Sequence, residues 1–175
     1  VCFLGVAQVD KFGNLNTTCI GDYDKPAMRL PGSGGAADFI SYAKRTVLTM
    51  LGGQFVEKLD YLTSPGYLDG GDSRDRSGLF PIGSGPSMLL TTQGIFRFDP
   101  VTKEIYLAQI HPKVKLDDVK KNVPWDLKIA VDLSETPHPT DAEIDFIRNF
   151  APNMAIGREL MLELTVANLM KKMKK

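Results

Sequence analysis

The sequence predicts an α/β fold built on buried, parallel-type strands, and three observations carry that reading. Short apolar runs, VCFLGVAQV at Val1–Val9 and TVLTML at Thr46–Leu51, lack the polar alternation of a half-solvated sheet. Between them AADFISYAKR switches to helical spacing: Ala36, Phe39, Ile40 and Ala43 share one face, while Asp38, Lys44 and Arg45 stay polar. The chain has 175 residues, 43% hydrophobic and 24% charged, which suits one domain over 1–175 with a sizeable core.

The elements follow in order. Val1–Val9 reads as one buried strand, DKFGN as a turn in which Gly13 and Asn14 tolerate positive φ, and Leu15–Ile20 as a second extended piece. Residues 21–35, with Pro26, Pro31 and four glycines, read as loop. The helix and the Thr46 strand come next, then a Gly52-Gly53 turn and a strand at Lys58–Thr63. SPGYLDGGDSRDRSGLFPIGSG, Ser64–Gly85, is a long polar loop of the kind that is functional or disordered. SMLLTT, GIFRF and EIYLAQI read as three strands in hairpin connection, through Gln93-Gly94 and DPVTK. The remainder reads as helical: a short helix at Leu116–Asn122, a helix capped by Thr140 with Glu143 at the capping-box position, and a terminal helix at 158–175 ending in KKMKK.

Composition excludes several classes. Lys plus Arg and Asp plus Glu stand at 21 each, so no net charge draws nucleic acid or a membrane surface. No apolar run is long enough to span a bilayer. Two cysteines, Cys2 and Cys19, form no disulfide framework and no metal spacing, and read as structural thiols of a reducing, cytoplasmic compartment. His111 and His138 each precede a proline without a ligand partner at metal spacing and read as surface or capping groups. Asp69, Asp72 and Asp75 read as a solvated, locally paired face, and Trp125 and Tyr67 as packing aromatics. Ser33 and Ser64 lack a nucleophile-elbow setting. The remaining feature is RLPGSGGAADF. Gly32, Gly34 and Gly35 precede a helix and bare N–H groups toward an anion or a developing oxyanion, or simply make a tight turn into the helix.

Five segments occur together in this order: GVAQVDKFGNLNTTCIGDY, RLPGSGGAADF, KLDYLTSPGYLDG, GIFRFDPVTKEIYL and HPKVKLDDVKKNVPWDL. Jointly they resemble the B (beta) subunits of the glutaconate CoA-transferase type among the family I CoA-transferases, over Leu4–Phe150. The resemblance implies an open three-layer α/β domain with a mainly parallel sheet. It implies pairing with a homologous A (alpha) subunit in an α2β2 heterotetramer. It also implies a ping-pong reaction in which a B-subunit glutamate forms a glutamyl-CoA thioester that an incoming carboxylic acid, dicarboxylic or 3-oxo, relieves of its CoA. Coenzyme A is then a substrate, and no metal or redox cofactor is called for.

By the same resemblance Gly32, Ser33, Gly34, Gly35 and Ala36 line the thioester site. Gln8, Asn14 and Asn16, at or just after a strand end where open α/β sheets bind ligands, are expected to orient the substrate. Ser64, Pro65 and Gly66 are expected to shape the acid pocket. The family's nucleophilic glutamate sits well upstream of the Gln-Val-Asp motif. The chain begins at VCFLGVAQV, without an initiator Met, and reads as the C-terminal portion of such a polypeptide, whether a fragment or a processed piece. Glu57, Glu104 and Glu135 stand in the wrong contexts, so the nucleophile is expected upstream of Val1 or from another chain. Two other readings keep the fold: a hydrolase of ring-degradation CoA thioesters, and a non-catalytic interaction module. A sheet starting at Val1 is expected to leave an apolar flank for another chain or a further segment to cover.

Overall fold

The computed structural model describes residues 1–79 and 81–153. It forms two compact units, Val1–Thr136 and a second that begins at Pro137. The strands of the first unit are β1 (Cys2–Gly5), β2 (Gln8–Val9), β3 (Leu15–Asn16), β4 (Cys19–Ile20), β5 (Met28–Arg29), β6 (Thr46–Met50), β7 (Gln54–Phe55), β8 (Pro86–Thr91), β9 (Gly94–Phe98), β10 (Ile105–Ile110) and β11 (Lys128–Glu135). Its helices are α1 (Ala36–Tyr42), α2 (Ser73–Arg76) and α3 (Leu116–Lys121); α4 (Asp141–Asn153) belongs to the second unit.

Six strands form the main sheet in the order β1-β6-β8-β9-β10-β11. β1, β6 and β8 run parallel, β9 is antiparallel to both neighbours, and β10 and β11 are parallel. The register stacks one row of buried side chains across five strands: Leu4 beside Leu48, then Leu89, Phe96 and Leu107. Phe55 packs on Phe96 with ring centroids 5.1 Å apart, and Trp125 meets Phe55 edge-on at 5.7 Å. Ile40 of α1 and Val119 of α3 complete the cluster.

Several sequence expectations are corrected here. Val1–Val9 is two strands: β1 ends at Gly5, and β2 joins a separate three-stranded sheet with β3 and β7. An unbroken apolar run carries no mark of where a chain changes sheets. Leu15–Ile20 likewise divides into β3 and β4, and β5 lies inside the supposed loop, paired antiparallel with β4. The strand expected at Lys58–Thr63 is absent; Gln54–Phe55 pairs with β2 instead. Gly53 permits this, since a Cβ there would lie 2.5 Å from the Val6 carbonyl oxygen. α1 stops at Tyr42, and Phe39 is exposed, so Ile40 alone among the predicted face is fully buried. β11 replaces an expected helical or irregular stretch. Its KIAVDLSE pattern keeps Val131 in solvent, as befits an edge strand. The helix expected at 158–175 lies outside the described residues.

Continuous apolar runs also implied cover on both sheet faces. The in-register row opposite the core (Phe3, Val47, Met88, Arg97, Tyr106, Lys128) stays partly or fully exposed. The expected apolar flank is present, with Phe3 69% and Tyr42 68% accessible and Phe39 beside them. The capping box at α4 forms as predicted: Glu143 accepts from the Thr140 N–H at 2.8 Å, and the Thr140 hydroxyl accepts from the Glu143 N–H.

The long loop 64–85 is stitched down by Arg74, which is only 2% accessible. Its guanidinium donates to the carbonyls of Pro65 (3.0 Å), Gly66 (2.8 Å) and Ile40 and to the Ser84 hydroxyl. One cation thus joins the 65–66 turn, the end of α1 and the entry to β8. Its removal leaves several buried carbonyls without a donor. Arg74→Met is therefore expected to lower stability by about 3 kcal/mol. Arg74→Lys should recover only part of this, because an ammonium cannot match the planar fork. Chemical denaturation of the two variants checks both outcomes.

Candidate functional site

Because β1, α1 and β6 form a parallel crossover unit, the N-terminus of α1 lies at the carboxyl end of β1, where open α/β sheets hold ligands. The glycine loop meets that end in a cleft of about 380 Å³, lined by Gly5, Val6, Thr17, Gly32, Ser33 and Ala36. Gly32 and Gly34 adopt φ of 87° and 48°, which suits glycine. Thr17 pins the loop twice: its carbonyl accepts the Gly32 N–H at 2.8 Å, and its hydroxyl donates to the Gly32 carbonyl at 2.9 Å. The Ala36 N–H turns inward to the Ser33 carbonyl. Among the described residues the N–H groups of Ser33, Gly34 and Gly35 form no hydrogen bond, and no side chain caps α1. Such fixed donors can stabilise negative charge developing on an oxygen without reorganising.

Behind the loop lies a buried amide network. Asn16 donates to the Gln8 side-chain oxygen and to the Cys19 carbonyl, each at 2.6 Å, and accepts from the Thr18 N–H at 2.9 Å. Gln8 donates onward to Asp60 at 2.8 Å, and Asp60 also accepts the Gly21 N–H at 3.0 Å. The Thr63 hydroxyl accepts the Thr17 N–H at 2.9 Å, so the network grips the residue that pins the glycine loop. Gln8 and Asn16 are buried, and these bonds hold their side chains within the chain. The Gly21 N–H, and next the Gln8 amide, hold the Asp60 carboxyl below its ordinary pKa.

The structure places the other predicted residues elsewhere. Asn14 donates to Asp10 and to the Leu68 carbonyl and accepts the N–H groups of Gly66 and Leu68. A Cβ on Gly66 would lie 2.2 Å from the Gly13 carbonyl oxygen, so this turn requires glycine. Gly13 in turn abuts Pro86, the first residue of β8. Asn14 and Gly66 therefore sit near the amino end of β8 and outside the lining of the glycine-loop cleft. Ser64 is fully buried, its backbone pairs with Leu15, and its hydroxyl finds no partner among the described residues. Burial raises the Asp10 carboxyl in that same turn against its bonds to Asn14 and Phe12.

The glutamates flagged in the sequence stand apart from the cleft's lining. Glu104 precedes β10 and pairs with Lys128 and Lys11, which lower its pKa in that order. Glu57 and Glu135 are exposed. Among the described residues no cluster of His, Cys, Asp and Glu could hold a metal ion, and no helix is long and apolar enough to cross a membrane. His111 is more than a surface group: its ring bridges the Thr136 hydroxyl at 2.8 Å and the Thr91 carbonyl at 3.0 Å. Thr17 and Asp60 were missed in the sequence. Thr17 lies in a flagged N-T-T segment, but nothing local marks Asp60, since its partners lie 39 and 52 residues away.

The sign of the Asp60 shift sets a pH dependence. A carboxyl held below its unfolded pKa contributes stability above about pH 4, and that contribution is lost as pH falls through the folded value. Asp10, raised by burial, works in the opposite sense. Asp60→Asn is therefore expected to flatten the acid limb of the stability profile below about pH 4, measured by urea unfolding at stepped pH.

The coenzyme A transferase family profile matches residues 1–122. The chain is 41% identical over 150 residues to the B subunit of 3-oxoadipate CoA-transferase from Pseudomonas knackmussii, covering 85% of this chain and 57% of the relative. It is 42% identical over 151 residues to the B subunit of glutaconate CoA-transferase from Acidaminococcus fermentans, covering 85% of this chain and 55% of that one. The crystal structure of glutaconate coenzyme A-transferase from Acidaminococcus fermentans superposes with a TM-score of 0.77 at 41% identity, over 83% of this chain and 56% of that one. The chain thus spans a little over half the length of the curated relatives it matches. With profile, sequence identity and fold in agreement, the chain belongs to the coenzyme A transferase family.

Proposed function

We propose that this chain is the beta-type component of a CoA-transferase that moves CoA between an acyl-CoA and a dicarboxylic or 3-oxo acid. The single observation that carries the reading is the glycine loop: three consecutive N–H groups without partners among the described residues, held by Thr17 over the carboxyl end of β1. The two relatives named above, the B subunits of 3-oxoadipate and glutaconate CoA-transferases, support the substrate class.

On this reading a glutamate from outside the described residues attacks the thioester carbonyl. Negative charge gathers on that oxygen, the carbon–sulfur bond breaks, and the thiolate then takes the glutamyl carbonyl to give a glutamyl-CoA thioester and free acid. The incoming carboxylate reverses these steps with its own acyl group. Of the Gly32–Ala36 loop, the N–H groups of Ser33, Gly34 and Gly35 receive the oxyanion, while the N–H groups of Gly32 and Ala36 are spent on the Thr17 and Ser33 carbonyls and hold the loop's ends. Gln8 and Asn16 hold the loop through Thr17 and Thr63, and Asn14, Ser64 and Gly66 brace the opposite strand ends, so all five serve the substrate indirectly. CoA is a substrate here, and the chemistry calls for no metal or redox cofactor. The working unit is an α2β2 heterotetramer with a homologous A (alpha) subunit, in the cytoplasm.

The complex is incubated with a panel of acyl-CoA thioesters, digested and examined by mass spectrometry. A CoA adduct on a glutamate outside this chain's described residues is the expected result. Free CoA accumulating without an adduct would instead indicate a hydrolase, and an adduct on Glu57, Glu104 or Glu135 would relocate the nucleophile. A second prediction concerns the loop. Gly35 has φ of −85°, near the edge of proline's range, so Gly35→Pro deletes one N–H, and Gly35→Ala controls for the added carbon, which meets the Phe39 ring at 3.1 Å. Gly35→Pro is expected to lower kcat about 100-fold, while Gly35→Ala, which retains the N–H, keeps most of the rate.

A further inference from the structure

The glycine loop has little packing support. A Cβ built on Gly32 or on Gly34 meets nothing within 4 Å, so no neighbouring group holds the backbone there. Both residues stand at positive φ, and neither has a side chain to restrict its backbone. Hydrogen bonds therefore fix the loop. Among the described residues, the bonds that tie residues 32–35 to a segment outside the loop and α1 all come from Thr17.

Thr17 takes this part because of how the neighbouring ladder ends. β4 and β5 pair antiparallel, with Cys19 opposite Arg29 and Ile20 opposite Met28. The ladder continues where the Leu30 N–H donates to the Thr18 carbonyl at 2.9 Å. Pro31 has no N–H to offer, so Gly32 supplies the next donor, to the Thr17 carbonyl. The return bond cannot come from the Thr17 N–H, which already donates to the Thr63 hydroxyl at 2.9 Å. The Thr17 hydroxyl donates to the Gly32 carbonyl in its stead. A side chain thus completes a backbone ladder. Its bond and that of the Thr17 carbonyl lie on either side of the Gly32 Cα, so together they fix two successive peptide planes. The second plane carries the Ser33 N–H. In a trans peptide the carbonyl and the N–H point in opposite directions. The hydroxyl that holds the Gly32 carbonyl therefore also sets the direction of the Ser33 N–H.

We propose that Thr17 is a positioning residue for the transfer reaction: its hydroxyl aims the Ser33 N–H, the first of the three unpartnered donors, and keeps the Gly32 carbonyl turned away from the charge that develops on the thioester oxygen. The inference rests on the CoA-transferase reading. Without the hydroxyl, the plane between Gly32 and Ser33 is free to turn, since Gly32 has no side chain to oppose it. A carbonyl brought round to the oxyanion repels it where the N–H attracted it. The loss falls on the transition state, because the full charge exists only there. Gly32 is half-buried, so water can satisfy its carbonyl and the fold tolerates the change.

The test uses the complex with its A-type partner. Thr17→Val removes the hydroxyl and keeps the shape and both backbone bonds of residue 17. It is expected to lower kcat about tenfold and to leave KM within about twofold of the wild type. Thr17→Ser, which restores the hydroxyl, is expected to recover most of the rate. Ser87→Ala deletes a comparable hydroxyl bond, to the Thr46 carbonyl at 3.1 Å, away from the cleft lining, and is expected to leave kcat unchanged. Full kcat in Thr17→Val, a loss confined to KM, no recovery in Thr17→Ser, or an equal loss in Ser87→Ala overturns the proposal. If the wild-type complex moves no CoA at all, the transferase reading fails, and hydrogen-exchange mass spectrometry at the Gly32 amide decides the clamp alone. Exchange that is slow in the wild type and in Thr17→Ser but faster in Thr17→Val upholds it. Equal exchange in the wild type and Thr17→Val overturns it.

Discussion

The geometry of this site depends on one buried amide. Asn16 has no accessible surface, and its side chain joins Gln8, Cys19 and Thr18. An amide buried this way must satisfy its donors and acceptors locally or destabilise the fold. Here its partners fix where the strand after the 10–14 turn runs. That strand carries Thr17, and Thr17 carries Gly32. The exposed donors of the glycine loop are therefore positioned by a chain of hydrogen bonds anchored in the interior. Preorganisation of this kind keeps a set of backbone dipoles aimed when charge appears.

The two ends of the parallel strands divide the labour. At the carboxyl ends lies the glycine loop, over a partly open cleft. At the amino ends the chain is knotted together by Arg74, by Asn14 and by Tyr67, whose hydroxyl donates to the Pro86 carbonyl. α1 links the two ends: Arg74 holds its last carbonyls, while the loop that enters its first turn carries the unpartnered N–H groups of Ser33, Gly34 and Gly35. A short helix with a single buried side chain, Ile40, gains little from packing alone. The buried guanidinium at its far end therefore bears on the placement of the loop at its near end.

The apolar flank formed by Phe3, Phe39 and Tyr42, and the half-exposed row from Val47 to Tyr106, distinguish this surface from the finished exterior of an isolated domain. The core row from Leu4 to Leu107 is closed independently of that surface. The site cleft and the flank both border β1, the outer strand of the six-stranded sheet: the cleft takes in Gly5 at its carboxyl end and the flank takes in Cys2 and Phe3 near its start.

Local chemistry made much of this legible. Hairpins at Gln93-Gly94 and DPVTK, the Thr140–Glu143 box and the glycine loop at a helix entrance are decided within a few residues by turn geometry and capping, and the structure contains them where the sequence puts them. The joint order of motifs was enough to identify the family. What sequence could not decide was settled by contacts between distant residues. The change of sheet after Gly5 depends on Gly53 approaching Val6 and Ala7. The long segment after Ser64 is tied down by Arg74, one of whose acceptors lies 34 residues away, and by Asn14, 52 and 54 residues from Gly66 and Leu68. Asn14 and Gly66 lie apart from the glycine loop because the turn at 10–14 carries the chain to the other strand ends. Periodicity and turn signals act over one or two turns of chain, whereas sheet order and burial of polar groups are fixed only when the whole chain has packed.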